Sequence, residues 1–267
     1  MASSTRQALA SAKAALQPLL AKADLNFASE LFAVSNTIAS SAQLRNLLSD
    51  PSAEVNAKSG AVAAVFAKSV SAEVLSFVTS LVALRWSKGS DLVASLEQLS
   101  VHAVASIAAA SGNIQQLSNE VFAFQQAIEG DSELQFALAA KSASAEARTA
   151  LVNKLLAGKA SPEGALLIQQ AVVQAGKRRA SRVLELFAKL VAQVANSLVA
   201  KVTVAQELSA QQQERLQAAL AKTYGSAIKL NIEHDASLIG GLRVQIADQI
   251  IDGSLASRLN QARLSLA

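Results

Sequence analysis

The feature that most constrains this chain is that it says one thing twice. The stretch ELFAVSNTIASSAQLRNLLSDPSAEVNAKSGAV, from Glu30, aligns with EVFAFQQAIEGDSELQFALAAKSASAEARTALV, from Glu120, at a constant offset of 90. Glu30, Phe32, Ala33, Ile38, Leu44 and Leu48 meet Glu120, Phe122, Ala123, Ile128, Leu134 and Leu138. Ser52, Ala53, Ala57 and Val62 meet Ser142, Ala143, Ala147 and Val152, and Ser71 and Glu73 meet Ser161 and Glu163. A fixed period this long marks a duplicated structural unit whose copies must each bury a face.

The apolar content is 51% of 267 residues, mostly Ala, Leu and Val, with only 4% aromatic, so each copy reads as a bundle of short helices. Polar breaks such as SDPSAE and GKASPEG separate the segments. Ser161-Pro162-Glu163 is a helix start, with Pro at the first helical position and an acid in the first turn. Residues 91–110 close the first copy and, by the offset, open the second, which predicts one long helix shared by both. The same offset places residues 6–20 opposite 96–110. The N-terminal segment has the Ala, Ser, Arg and Lys composition of a transit peptide. The repeat instead makes it a required bundle helix.

After Asn196 the period changes. LVAKVTVAQ alternates apolar and polar residues like a strand. In the segment after it, Ser209 and Gln212 have capping-box spacing, Leu216, Leu220 and Tyr224 share a face, and Gly225 stands where that helix should stop. AIKLNIEHD, GLRVQI and QIID read as three more strands, and Leu255, Leu259, Ala262 and Leu266 as a final helix. The expected fold is mainly α: a first helical bundle over 1–94, a duplicate over 91–195 sharing the helix 91–110, and a small α+β domain over 196–267 in the order β-α-β-β-β-α.

Composition excludes several chemistries. Without cysteine there is no disulfide, thiolate nucleophile or Cys-based zinc site. The histidines, His102 and His234, are far apart and read as structural, so no catalytic or metal-binding set is expected. Gly240-Gly241 lacks the spacing and lysine of a phosphate loop and precedes a strand, so it reads as a turn with positive φ or a close backbone approach. Asp248 falls in a turn, and Asp252 where it can cap the final helix. No cofactor is expected. No apolar run has the length of a membrane span, residues 61–77 coming nearest before Lys68 and Glu73 interrupt. The net charge of +4 is spread out except at Lys177, Arg178, Arg179 and Arg182, which has no aromatic residues for base stacking and reads as a solvated turn.

At Lys201–Leu266, KVTVAQELSAQQQERLQAALAKTYGSAIKLNIEHDASLIGGLRVQIADQIIDGSLASRLNQARLSL, the chain resembles the delta subunit of F-type ATP synthase, the family of the oligomycin-sensitivity-conferring protein. D-x-S-L-I-G-G followed by a strand and D-x-x-I-D-G-S carries the likeness, and AQLRNLLSDP and SAEVLSFVTSLV extend it upstream. With two bundles in place of the family's one, it resembles the elongated actinobacterial form. The resemblance implies a non-catalytic stator subunit, peripheral on the cytoplasmic side of the bacterial plasma membrane. It implies that a helical bundle grips the N-terminal helices of the alpha subunits, that the C-terminal domain holds the C-terminal helices of the b subunits, and that the joint resists rotor torque. It implies neither nucleic-acid binding nor membrane insertion. The rival reading, a free helical adaptor associated with nucleic acid, rests on the Lys177–Arg182 cluster and is separated by salt titration, since phosphate contacts weaken steeply with salt.

Between the two copies, the first is expected to take the alpha-subunit helix. On a helical wheel Val74, Leu75, Phe77, Val78, Leu81, Val82, Leu84 and Trp86 span more arc than core packing uses. The second copy replaces Leu75, Leu84 and Trp86 with Ala165, Gln174 and Gly176. The expected docking residues are Leu9, Leu16, Leu75, Val78, Val82, Leu84 and Trp86.

Overall fold

The computed structural model describes residues 3–140, 144–174, 178–197, 199–206, 208–224, 228–235, 238, 241–246 and 249–252. Twelve helices and four strands lie among them. The chain divides into two compact units, one of residues 1–108 and 113–191, the other of residues 109–112 and 192–267.

In the first unit the duplication is visible in the order of the helices, and two helix pairs coincide at both ends. Helices α2 (Leu25–Ser40), α3 (Ala42–Ser49), α4 (Val55–Phe66) and α5 (Ala72–Val82) are followed by α6 (Gly89–Ala110). Then α7 (Ile114–Gly130), α8 (Ser132–Ala139), α9 (Ala145–Leu156), α10 (Pro162–Gln174) and α11 (Ala180–Ser197) repeat the series. The bounds of α8 and α9 are those of α3 and α4 shifted by 90. The first copy opens with α1 (Ser3–Leu20).

The same polar devices fix both copies. Glu30 accepts from the backbone N–H and hydroxyl of Ser71 at 2.8 and 2.7 Å, tying α2 to the start of α5. Glu120 accepts from the same groups of Ser161 at 3.0 and 2.6 Å, tying α7 to α10. Asn26 and Gln116 steady the two carboxylates from one turn earlier, each at 2.8 Å. Ser71 and Ser161 also cap their helices, accepting from the backbone N–H groups of Val74 and Gly164. Arg45 and Gln135, again 90 apart, reach back to the carbonyls of Ala39 and Glu129.

The shared helix α6 differs from the helices around it. Buried residues of α1 form one stripe, Thr5, Ala8, Ala12 and Leu16. On α6, Leu92, Ser95, Leu96, Glu97, Leu99, Ser100, Val101, Ala103, Val104, Ala105 and Ala108 are buried, which covers the whole circumference. A helix apolar all round must be enclosed. It alone among the described helices has the length and mean hydropathy of a membrane span, and two-thirds of that window is buried within the protein. The run 61–77, nearest to a span by sequence, is broken instead between α4 and α5 by the turn that follows Phe66.

The copies pack on each other within this unit. Helix α2 lies against α10. Asn36 donates to Gln170 at 2.9 Å, and the rings of Phe32 and Phe187 meet with centroids 6.1 Å apart, tilted by 43°.

The second unit holds a sheet of β1 (Val199–Val204), β2 (Lys229–His234), β3 (Leu242–Ile246) and β4 (Gln249–Asp252), in the order β2-β1-β3-β4. Strands β1 and β2 are parallel, joined through α12 (Ala210–Tyr224), and the other neighbours are antiparallel. Ala200, Val202, Val204, Val244 and Ile246 form the buried face with Ile228 and Leu220, and Leu216 packs against them. The capping box at the start of α12 forms in both directions, Ser209 N–H to Gln212 Oε1 at 2.8 Å and Gln212 N–H to Ser209 Oγ at 3.3 Å. Gly241 has φ of +83° where the chain enters β3, a conformation that only glycine adopts without strain. Asp252 ends β4, paired with Arg243, as the strand reading of QIID places it. Gly225, Gly240, Asp248 and the final helix over Leu255–Leu266 lie outside the described residues.

One imperfection in the duplication is testable. Thr5 is buried and donates to Asp91 at 2.8 Å. Its repeat equivalent, Ser95, is equally buried, but Arg182 aligns with Asp91, after a one-residue slip that pairs Ser90 with Ser181, and the Ser95 hydroxyl has no partner. A buried hydroxyl without a partner costs free energy, and one with a partner contributes about 1 kcal/mol. Thr5→Val should therefore destabilise the chain by roughly 1 kcal/mol. Ser95→Ala should be neutral or stabilising in urea denaturation, and equal losses for the two would contradict this account.

Candidate functional site

The described residues do not converge as a catalytic centre would. Among them no three His, Asp or Glu side chains lie close enough to hold a metal ion. His102 sits on α6, and burial, aided by the nearby Lys13 ammonium on α1, lowers its pKa to about 4. It is therefore neutral at physiological pH, and its environment disfavours the protonated form that a general acid needs. Glu97 is buried on the same helix. Its pKa is raised by burial, against the opposing pull of Arg178, which binds both carboxylate oxygens at 2.9 and 2.7 Å. The arginine cluster, read from sequence as a solvated turn, is thus partly structural. Arg178 bonds Glu97 and Gln174, and Arg182 pairs with Glu185 at 3.0 Å. Lys177 lies outside the described residues.

What the first unit offers is grooves. Helices α1 and α5 pack side by side in opposite directions. Between them runs a hollow of about 410 Å³ lined by Ala15, Leu19, Ala72, Glu73, Ser76, Phe77 and Ser80. A second hollow, of about 660 Å³, continues beside the N-terminal half of α1, lined by Ser3, Ser4, Gln7, Ala8, Ser11, Leu84 and Arg85. Small side chains on both walls let another backbone approach closely.

The docking residues expected from sequence divide in two. Leu9, Leu75 and Leu84 are partly exposed. Leu16, Val78, Val82 and Trp86 are core residues of the first copy. The wheel fails at its end, because α5 stops at Val82. Beyond it the chain turns, and the Trp86 indole N–H donates to the Leu81 carbonyl at 2.9 Å inside the core. The surplus apolar arc is therefore partly core filling. Sequence reasoning missed Ala15, Ser76 and Ser80, whose small size carries little hydropathy signal, and Leu19, which reads as an ordinary core position. The structure separates the copies here: Ala15 is exposed while its repeat equivalent, Ala105, is fully buried.

In the second copy the stretch equivalent to Ala15–Leu19 and Ala72–Ser80, between α6 and α10, is closed, whereas the stretch equivalent to the hollow at Gln7 and Leu84 stays open beside Glu97 and Gln174. Ser76, exposed, corresponds to Leu166, which is buried, and Ser80 to Gln170, which bonds Asn36 of α2. Helix α2 thus occupies the face of α10 that corresponds to the open face of α5.

Residues 101–266 match the family model described as ATP synthase delta (OSCP) subunit. The chain belongs to that family. With it the chain belongs to the non-catalytic components of the peripheral stalk of ATP synthase. It is 39% identical to the ATP synthase subunit delta of Pseudarthrobacter chlorophenolicus and 40% identical to that of Leifsonia xyli, with all of each chain covered. The Streptomyces griseus protein of the same description is 36% identical, again over all of both chains. A chain in the solved Toxoplasma gondii mitochondrial ATP synthase hexamer covers 64% of this chain and 97% of its own at 16% identity. Its TM-score of 0.31 is too low for a shared arrangement to be argued from it. The family match begins inside α6, so it takes in the second copy and the C-terminal unit, whereas the full-length relatives span both copies.

The His102 environment gives a pH prediction. The unfolded chain takes up a proton on His102 below about pH 6.5, whereas the folded chain refuses it until about pH 4. Stability from this group is complete above pH 6.5 and is lost as pH falls toward 4, by up to about 3 kcal/mol at ~1.4 kcal/mol per unit. Glu97, with a raised pKa, acts in the opposite sense, so the comparison is with His102→Gln. The wild type should lose more stability than that variant between pH 6.5 and 4 in urea melts; parallel losses would refute the assignment.

Proposed function

We propose that this subunit joins the catalytic head to the stalk on the cytoplasmic side of the bacterial plasma membrane, resisting rotor torque. The first copy takes the N-terminal helices of alpha subunits in the α1–α5 groove, and the C-terminal unit holds the C-terminal helices of b subunits. Ala15, Leu19, Ser76, Phe77 and Ser80 form the floor and walls of the groove. Leu9, Leu75 and Leu84 supply partly exposed apolar surface beside it. Gly241, with its positive φ, shapes the backbone of the C-terminal unit.

The observation that carries the assignment to the first copy is the difference in occupancy. An amphipathic helix docks by laying its apolar face into an open groove. The α1–α5 groove is open, and the corresponding face in the second copy already holds α2. Continuity of the second copy with the C-terminal unit, and the start of the family match at residue 101, favour the other assignment. Occupancy outweighs them, because a helix docked across Leu166 and Gln170 would have to displace α2, although a hollow remains beside Glu97 and Gln174. The C-terminal assignment is supported by the family relation of residues 101–266.

An aspartate placed in the groove would be buried without a partner on docking, which costs several kcal/mol. Ala15→Asp and Ser76→Asp should each weaken capture of the isolated catalytic head by at least about tenfold. Gln126→Asp, exposed on α7, should leave capture unchanged. A chain ending at Ser197 should bind the head but not the b subunits. Wild-type capture by Ala15→Asp, or retention of b by the truncated chain, would refute the respective half of the proposal.

A further inference from the structure

The seam between the two copies holds a cavity that head and stalk docking do not use. It measures about 660 Å³, within the range of small-molecule sites. Its walls come from α2, α6, α9 and α10, so it exists only because the copies pack on each other. Ala39, Val93 and Val173 make the apolar part, and Ser35, Asn36, Ser40 and Gln174 supply hydroxyl and amide groups.

Its charges do not balance. Glu97 and Arg178 neutralise each other at 2.7 Å. Arg148, on α9, also lines the cavity, is 7% exposed, and its Nε has no hydrogen-bond partner. A guanidinium cannot relieve its burial by losing a proton. The Glu146 carboxylate, exposed two residues earlier, offsets this charge only through space, and the Nε donor facing the cavity is left for an acceptor from outside the chain. The planar N–H fork of arginine matches a carboxylate with two parallel hydrogen bonds. The Glu97 carboxylate on the same wall weighs against a doubly charged group such as phosphate. Burial raises the Glu97 pKa, which fits a poorly hydrated cavity.

We propose that the seam cavity is a binding site for a small amphipathic monocarboxylate, its carboxylate on Arg148 and its apolar body against Ala39, Val93 and Val173. The site is present only in the seam arrangement. The repeat equivalent of Arg148 is Lys58, also buried, while those of Glu97 and Gln174 are Ala188 and Leu84, which cannot rebuild it.

The test is calorimetric titration of the intact chain with octanoate, octanol and octylamine. The wild type should bind one octanoate saturably, and octanol and octylamine at least about tenfold more weakly, as loss of a charge-assisted pair requires. Arg148→Met should lose octanoate by about tenfold or more while leaving octanol unchanged. It should also raise the melting temperature of the free chain, since a buried donor without a hydrogen-bond partner is removed. Val93→Phe, which fills the cavity and keeps Arg148, should lose both ligands and guards against misreading a folding defect. Absence of saturable octanoate binding by the wild type would overturn the proposal, as it would if Arg148 served a docked protein segment instead. Equal octanoate affinity for wild type and Arg148→Met would overturn it as well.

Discussion

The arrangement of the first unit depends on α6, a helix with buried residues around its whole circumference. In the repeat it stands where α11 stands in the second copy and where α1 stands in the first. A helix so enclosed has no solvated face, and most of its buried residues are small or apolar, with Glu97 the charged exception. The Ala-rich stretch from Ala103 to Ala110 lets neighbours approach from several sides. In consequence Ala105, the equivalent of the exposed Ala15, is buried, and the stretch of groove open between α1 and α5 is closed in the second copy.

Polar groups inside the seam separate what duplication copied from what came after. The Glu30–Ser71 and Glu120–Ser161 ties are the same device, down to the amide that steadies each carboxylate. The buried Arg148 is matched by Lys58, also buried, whereas Glu97 has no acidic counterpart in the second copy, where Ala188 aligns with it. The Glu97–Arg178 pair is therefore not repeated. The unmatched hydroxyl of Ser95 is a smaller trace of the same divergence.

Much of this was legible in the sequence because it is periodic. The offset of 90 located helices whose ends later coincided, the shared helix came from the overlap of the copies, and strict alternation located the strands that became β1 to β4. The capping box at Ser209 was readable because three residues determine it. What was hidden depends on distance in the chain or on local chain reversal. Trp86 continues the apolar pattern of α5, and nothing local announces that the helix stops at Val82 and the indole folds back. Arg178 and Glu97 are 81 residues apart, so the arginine cluster read as solvated surface. Much of the groove was invisible because Ala15, Ser76 and Ser80 carry little hydropathy signal, while Leu19 and Phe77 read as ordinary core residues. Its detection required comparing the burial of Ala15 with that of Ala105.

The central claim is that the first copy alone presents an open helix-docking groove. The chain has no cysteine, so a single introduced thiol reports cleanly on one position. The most direct measurement is the alkylation rate of Ser76→Cys and of Gln126→Cys, with and without the catalytic head bound. The account predicts that the thiol at 76 reacts readily in the free chain and becomes protected when the head binds, while the thiol at 126 reacts at the same rate in both states. Protection at 126 with undiminished reactivity at 76 would contradict it.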